Sequence, residues 1–264
     1  MSPDLVRLSV DAGSGIAQLC FNRPDKLNAI DVPTAQAFCA AVRALRDDAR
    51  VRCVVLRGEG RAFVAGGDVA AFAANFEAAP ALIDALLDAL NPAIEILRRI
   101  DAPVIAAVQG SVAGAGLSLM AACDLVVAAE GTRFLIAYDR LGAPPDCGGT
   151  YFLPRRMGAR RAAEMFFLSQ TLDSAAALEA GLLNRVVPPA QLGDTVAELA
   201  RQLAAGPTRA YGHYKRLSLH STQRDLQAQL QAEGEAFKDA TRTQDFRSGV
   251  RAFLDKQTPH FEGH

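Results

Sequence analysis

With 28 basic against 29 acidic side chains in 264 residues, the chain carries a formal net charge of −1, which leaves no global electrostatic footprint for nucleic acid or an anionic membrane surface. Half of the residues are apolar and 22% are charged, the balance of a globular protein able to bury one sizeable core, and the length does not demand two domains. Five cysteines (Cys20, Cys39, Cys53, Cys123, Cys147) without a CxxC pair, and no apolar leader in MSPDLVRLSV, point to a reduced, cytoplasmic protein, and no apolar run reaches the roughly 18 residues of a membrane span.

Val6, Leu8 and Val10 alternate with polar neighbours and, after the turn AGSG, the run Ile16 to Phe21 returns, a hairpin pattern. Asp31 followed by Pro33 opens an amphipathic helix to about Ala49, and VRCVVLRG is a buried strand. The loop EGRAFVAGGDV carries three glycines yet also Phe63, Val64 and Ala65, unusual for a surface connection. Ala70 to Ile100 is helical, with Leu86, Leu90, Ile94 and Leu97 on one stripe and Pro92 as a break or new start. PVIAAVQG and DLVVAAE are strands on either side of a helix, so strands and helices alternate as in an α/β fold, and the short β-β-α units suggest a winding superhelix. The segment RFLIAYDRLGAPPDCGGTYFLPRRMG is expected to be an ordered loop against a site, followed by helices to Ser169. Ser174 is the expected N-cap and Gly181 the C′ residue of a further helix, LNRVV a last strand, and from about Ala190 the chain is wholly helical. A soft boundary there divides a core of residues 1–189 from a helical region of residues 190–264.

The chemistry concentrates at VQGSVAGAGLSL, where a strand runs through a glycine turn into a helix. The first amides of such a helix lack intrahelical acceptors, and the helix dipole favours negative charge there. Gly110, Gly114 and Gly116 are spaced GxxxGxG, which fails the dinucleotide fingerprint, and a phosphate loop would need Gly-Lys-Ser/Thr. Ser118 lacks the second glycine of a hydrolase elbow, which would fall at Met120. His213 and His220 share a helical face without two further ligands, so no metal is assigned.

Taken in order, RPDKLNAI, AFVAGGD, VQGSVAGAGLSLMAACDLVVA and PDCGGTYFLP resemble the enoyl-CoA hydratase/isomerase (crotonase) superfamily over essentially the whole chain. The resemblance implies the crotonase (ClpP-like) α/β fold with C-terminal helices serving a homotrimer or a dimer of trimers. It also implies a thioester carbonyl held between two backbone amides, by position those of Ala65 and Ala115, an oxyanion hole that stabilises an enolate. Family hydratases use two glutamates. Here Ser118 stands at the first position and Tyr138 at the second, and the remaining acid is Asp146, where the family's enoyl-CoA isomerases, including the ring isomerase of phenylacetate breakdown, carry one.

One carboxylate suffices to move a double bond from β,γ to α,β, by taking a proton at C2 and returning it at C4. Asp139 is the second choice for that acid. The resemblance further implies coenzyme A contacts from Arg23 and Lys26, packing from Leu27, Ala62 and Phe63, a substrate side formed by Gly66, Asp68, Gly114 and Tyr138, and Phe253 and Lys256 reaching a neighbouring subunit's nucleotide. Asp68 is also expected to cap the helix that follows it. No cofactor is implied beyond the coenzyme A of the thioester substrate. An enoyl-CoA hydratase and a non-catalytic acyl-CoA-binding protein are the alternatives to an isomerase.

Overall fold

The computed structural model describes residues 4–264. The expected hairpin consists of β1 (Val6–Val10) and β2 (Ile16–Phe21), antiparallel with Val6 opposite Phe21 and Val10 opposite Ala17. Asp31 caps α1 (Val32–Asp47) by accepting from the Thr34 amide at 2.9 Å, with Pro33 in the first turn. β3 (Cys53–Gly58) then adds to β2 in parallel.

The helical stretch after it is α2 (Val69–Ala74) and α3 (Ala79–Arg99), separated at Asn75, whose side chain accepts from the Ala78 amide. No break occurs at Pro92. α3 continues through it because Leu86 and Leu90 before it, and Ile94 and Leu97 after it, are buried on one face against the same core.

β4 (Val104–Val108) and β5 (Ser111–Ala113) lead into α4 (Ala115–Ala122), every residue of which is buried. β6 (Leu125–Ala129) and β7 (Arg133–Leu135) lead, across the Gly/Pro-rich segment, into α5 (Gly149–Met157) and α6 (Ala159–Phe167). The segment expected as loop from residue 133 therefore begins as a strand. β8 (Thr171–Asp173) precedes α7 (Ser174–Glu179), and the cap is Asp173 rather than Ser174: its carboxylate accepts from the Ala176 amide at 2.8 Å, which makes Ser174 the first helical residue. Gly181, at φ +79°, ends α7 as expected. β9 (Arg185–Val187) is followed by α8 (Leu192–Ala204), α9 (Thr208–His220), α10 (Leu226–Ala240) and α11 (Gln244–Leu254).

The strands form a six-stranded sheet in the order β1-β2-β3-β4-β6-β9, parallel except for the first pair, and a three-stranded sheet β5-β7-β8. β-β-α units recur as β1-β2-α1, β4-β5-α4 and β6-β7-α5, giving the α/β superhelix anticipated from the sequence. Alternation along β3 sends Val54 and Leu56 into the main core with α1, α3 and α4, and Cys53 and Val55 to the other face, where Val196, Leu199 and Ala200 of α8 cover them. The winding leaves the C-terminal ends of β3 and β4 side by side, and each opens there into a glycine turn. No helix among the described residues is long and apolar enough to cross a membrane.

Candidate active site

The first turn, residues 59–68, is held from beneath by side chains the sequence did not single out. Asn28, fully buried, donates to the carbonyls of Glu59 (3.0 Å) and Ala62 (2.9 Å) and accepts from the Arg23 amide (2.8 Å). Gln109 donates to the carbonyls of Gly58 (2.8 Å) and Gly60 (3.0 Å). A polar residue amid the apolar LNAI was the available signal for Asn28. Ala62 and Phe63, expected to pack on coenzyme A, are 1% and 0% exposed and form the floor of the turn instead.

The amide of Ala65, expected to be one oxyanion donor, donates to the Leu27 carbonyl at 3.1 Å and is engaged there. Two residues on, the N–H of Gly67 is free. Ile30 donates to the Gly66 carbonyl (2.8 Å) and accepts from the Asp68 amide (2.9 Å), a parallel bridge that turns the N–H of Gly67 to the opposite side, where it has no acceptor among the described residues.

The second turn meets the first closely. Val64 accepts from the Ala113 amide at 3.0 Å, and a Cβ on Gly116 would stand 2.2 Å from the Val64 carbonyl oxygen, so only glycine permits this approach. Gly114 adopts φ +51°, ψ −125°, a backbone closed to L side chains, and it lies against Gly66. Ala115 then opens α4 with an amide that finds no acceptor among the described residues. Free N–H groups, among them those of Gly67 and Ala115, thus belong to turns in contact, one of which opens a helix.

The acid comes from the segment before α5. Tyr138 donates its phenolic hydrogen to Oδ1 of Asp146. The pair stands beside the second turn: a Cβ on Gly114 would be 3.9 Å from Tyr138 Cζ, and one on Gly149, at the start of α5, would be 2.7 Å from Ser118 Oγ. Burial and then the Asp146 charge push the Tyr138 phenol well above its ordinary pKa, and the same two causes push up the Cys147 thiol, so both remain protonated. Asp139 accepts from the Ser169 hydroxyl through Oδ2, while its Oδ1 is buried without a partner among the described residues.

The structure separates the remaining expected residues. Arg23 is drawn inward: its guanidinium donates to the Ala29 carbonyl (2.5 Å) and lies 3.1 Å from Asp31 and 3.2 Å from Asp68. Between two carboxylates it is not free to serve a phosphate. Asp68 makes no cap bond to α2; the pairing with Arg23 takes its place. Lys26 is exposed in the 3-10 turn Pro24–Lys26, and Leu27 follows in the left-handed region at φ +52°. Phe253, 83% exposed on α11, and the exposed Lys256 beyond it have no hydrogen bond to any of the site residues above.

The family model for enoyl-CoA hydratase/isomerase matches residues 11–264. The chain is 36% identical over 250 residues to the 1,2-epoxyphenylacetyl-CoA isomerase of Escherichia coli (strain K12), covering 94% of this chain and 95% of that protein. It is 32% identical to the crotonyl-CoA hydratase of Syntrophomonas wolfei, covering 93% and 94% respectively. Among solved structures, the enoyl-CoA hydratase/isomerase of Cupriavidus metallidurans CH34 superposes with a TM-score of 0.90 at 30% identity, covering 100% of this chain and 98% of that one.

Proposed function

Because the chain belongs to the enoyl-CoA hydratase/isomerase family and is an enzyme of that family, we propose that it is an acyl-CoA enoyl isomerase that shifts a β,γ or ring double bond to α,β. In this reading the amides of Gly67 and Ala115 hold the thioester oxygen. Asp146 removes a proton from C2, the electron pair enters the carbonyl as a dienolate, and the same carboxyl group delivers the proton to C4. Preorganised donors act where negative charge develops, each contributing on the order of 3 kcal/mol to lowering the barrier.

The observation that carries the reading is the single unpaired carboxylate. Asp68, at the end of the first turn, is ion-paired to Arg23, and Ser118 and Tyr138 beside the second turn supply no carboxylate, whereas addition of water by paired carboxylates needs a second one. The hydratase among the relatives keeps hydration of a 2-enoyl-CoA as the second reading. Purified enzyme given 3-hexenoyl-CoA is expected to raise the conjugated-enoyl absorbance and to leave crotonyl-CoA intact. Rapid loss of the crotonyl-CoA absorbance with no turnover of the β,γ ester would reverse the assignment.

Coenzyme A enters as part of the substrate. Of the two cations expected to meet coenzyme A, Lys26 is the exposed one, in the Pro24–Lys26 turn. A homotrimer or dimer of trimers is supported by α10, which buries none of its residues in this chain and exposes Leu226, Leu230 and Phe237. Within such an assembly Phe253 and Lys256 would reach a neighbouring subunit's nucleotide. The five buried, unpaired cysteines suit the cytoplasm.

A further inference from the structure

We infer that Tyr138 is a positioning residue for Asp146: its phenol holds one carboxylate oxygen, leaving the other to take and return the substrate proton. This rests on the isomerase reading. The hydrogen bond goes to Oδ1, and Oδ2 has no hydrogen-bond partner among the described residues, which makes Oδ2 the oxygen we assign to the substrate. In the step this assigns, the C2–H bond breaks and the proton passes to Oδ2. Its electron pair forms the C1–C2 double bond of the dienolate, and the Oδ2–H bond then breaks to protonate C4 as C2–C3 becomes the double bond. No co-reactant is needed, and the phenol keeps its own proton throughout.

A second observation lies in the backbone. Ala137, immediately before Tyr138, has φ +67°, and Cys147, immediately after Asp146, has φ +51°. Residues with a Cβ are held in this region at a cost, and such strain persists where surrounding structure over-determines it. Here both strained positions adjoin the same side-chain pair, and each bends the chain so that the phenol and the carboxylate meet beside Gly114. Ser118 of α4, Cys147 and Tyr138 itself are the polar or titratable side chains against the pair. The thiol and the phenol stay neutral, so no nearby charge substitutes for the lost bond.

The test compares wild type with Tyr138→Phe on 3-hexenoyl-CoA. Loss of a hydrogen bond to a charged group is expected to lower kcat about 10- to 100-fold with KM nearly unchanged. Replacement of Tyr138 by 3-fluorotyrosine, a donor of nearly the same shape, is expected to restore kcat to within a few-fold of wild type. If Tyr138→Phe keeps the wild-type kcat, or if KM rises while kcat holds, the positioning role is wrong and the isomerase reading stands. If wild-type enzyme fails to isomerise any β,γ-enoyl-CoA, the isomerase reading itself falls, and the positioning role falls with it.

Discussion

One aspartate follows the carbonyl end of α4 and another, from the segment before α5, is paired with Tyr138 beside its amide end, and the contrast between them separates structural from chemical work. At the carbonyl end, Asp124 is saturated. Its Oδ1 accepts from Arg98 at 2.5 Å, and its Oδ2 accepts from Lys215 at 2.9 Å and from the Val104 amide at 2.9 Å. Lys215, 3% exposed, completes its shell with the carbonyls of Leu97 (2.9 Å) and Ala102 (2.8 Å). Arg98 and Arg156 bond the last carbonyls of the helix, at Ala122 (3.1 Å) and Cys123 (3.1 Å), where positive charge suits the dipole. At the amide end, Asp146 has one oxygen bonded to Tyr138 and the other open, beside amides that have no acceptor. A half-buried carboxylate with every oxygen occupied fixes α9 to α3 and to the sheet; one with an oxygen to spare can exchange a proton.

The saturated end is the place to look for a large loss of stability. Lys215→Met removes one partner of a buried charge cluster and leaves Asp124 undercompensated, which is expected to cost about 3–5 kcal/mol in urea unfolding. The same variant, once folded, should isomerise within a few-fold of wild type. A strong catalytic defect at unchanged stability would erase the distinction between the two ends.

Smaller effects belong to the open end. Ala137→Gly places a residue without a Cβ at φ +67° and is expected to change unfolding free energy by less than about 1 kcal/mol, toward stability. Its kcat should nevertheless fall several-fold, since the chain before Tyr138 gains freedom. A gain in both stability and kcat would show that the strain at Ala137 does not aim the phenol.

Much of this architecture is written locally and so was legible. The alternation in β1 and β2, the Asp31–Pro33 helix start and the glycine after α7 each depend on neighbours a few residues away. β7 and β8 were missed because each has three residues and forms only by pairing with distant chain, Phe134 opposite Val112 on one side and Leu172 on the other. Likewise Pro92 reads as a breaker until the buried stripe on both sides of it is seen packing on one core.

The site divides in the same way. Asp146, Tyr138 and Ala115 are singled out by their motifs, and the Tyr138–Asp146 hydrogen bond beside Gly114 is what the folded chain adds. The Ala65 amide is not free, because its N–H is taken by the carbonyl of Leu27, which reaches it only through the left-handed turn at Leu27 and Asn28. Arg23 looked free because nothing local shows that Asp31 and Asp68 converge on it.

Asp146→Asn bears most directly on the chemistry at the open end. The amide keeps the shape and an oxygen for Tyr138 but cannot take the C2 proton, so the rate on 3-hexenoyl-CoA is expected to fall by about 100- to 10,000-fold, with thermal stability and coenzyme A ester binding retained. Turnover of 3-hexenoyl-CoA by Asp146→Asn at the wild-type rate would contradict the assignment of Asp146 as the proton carrier.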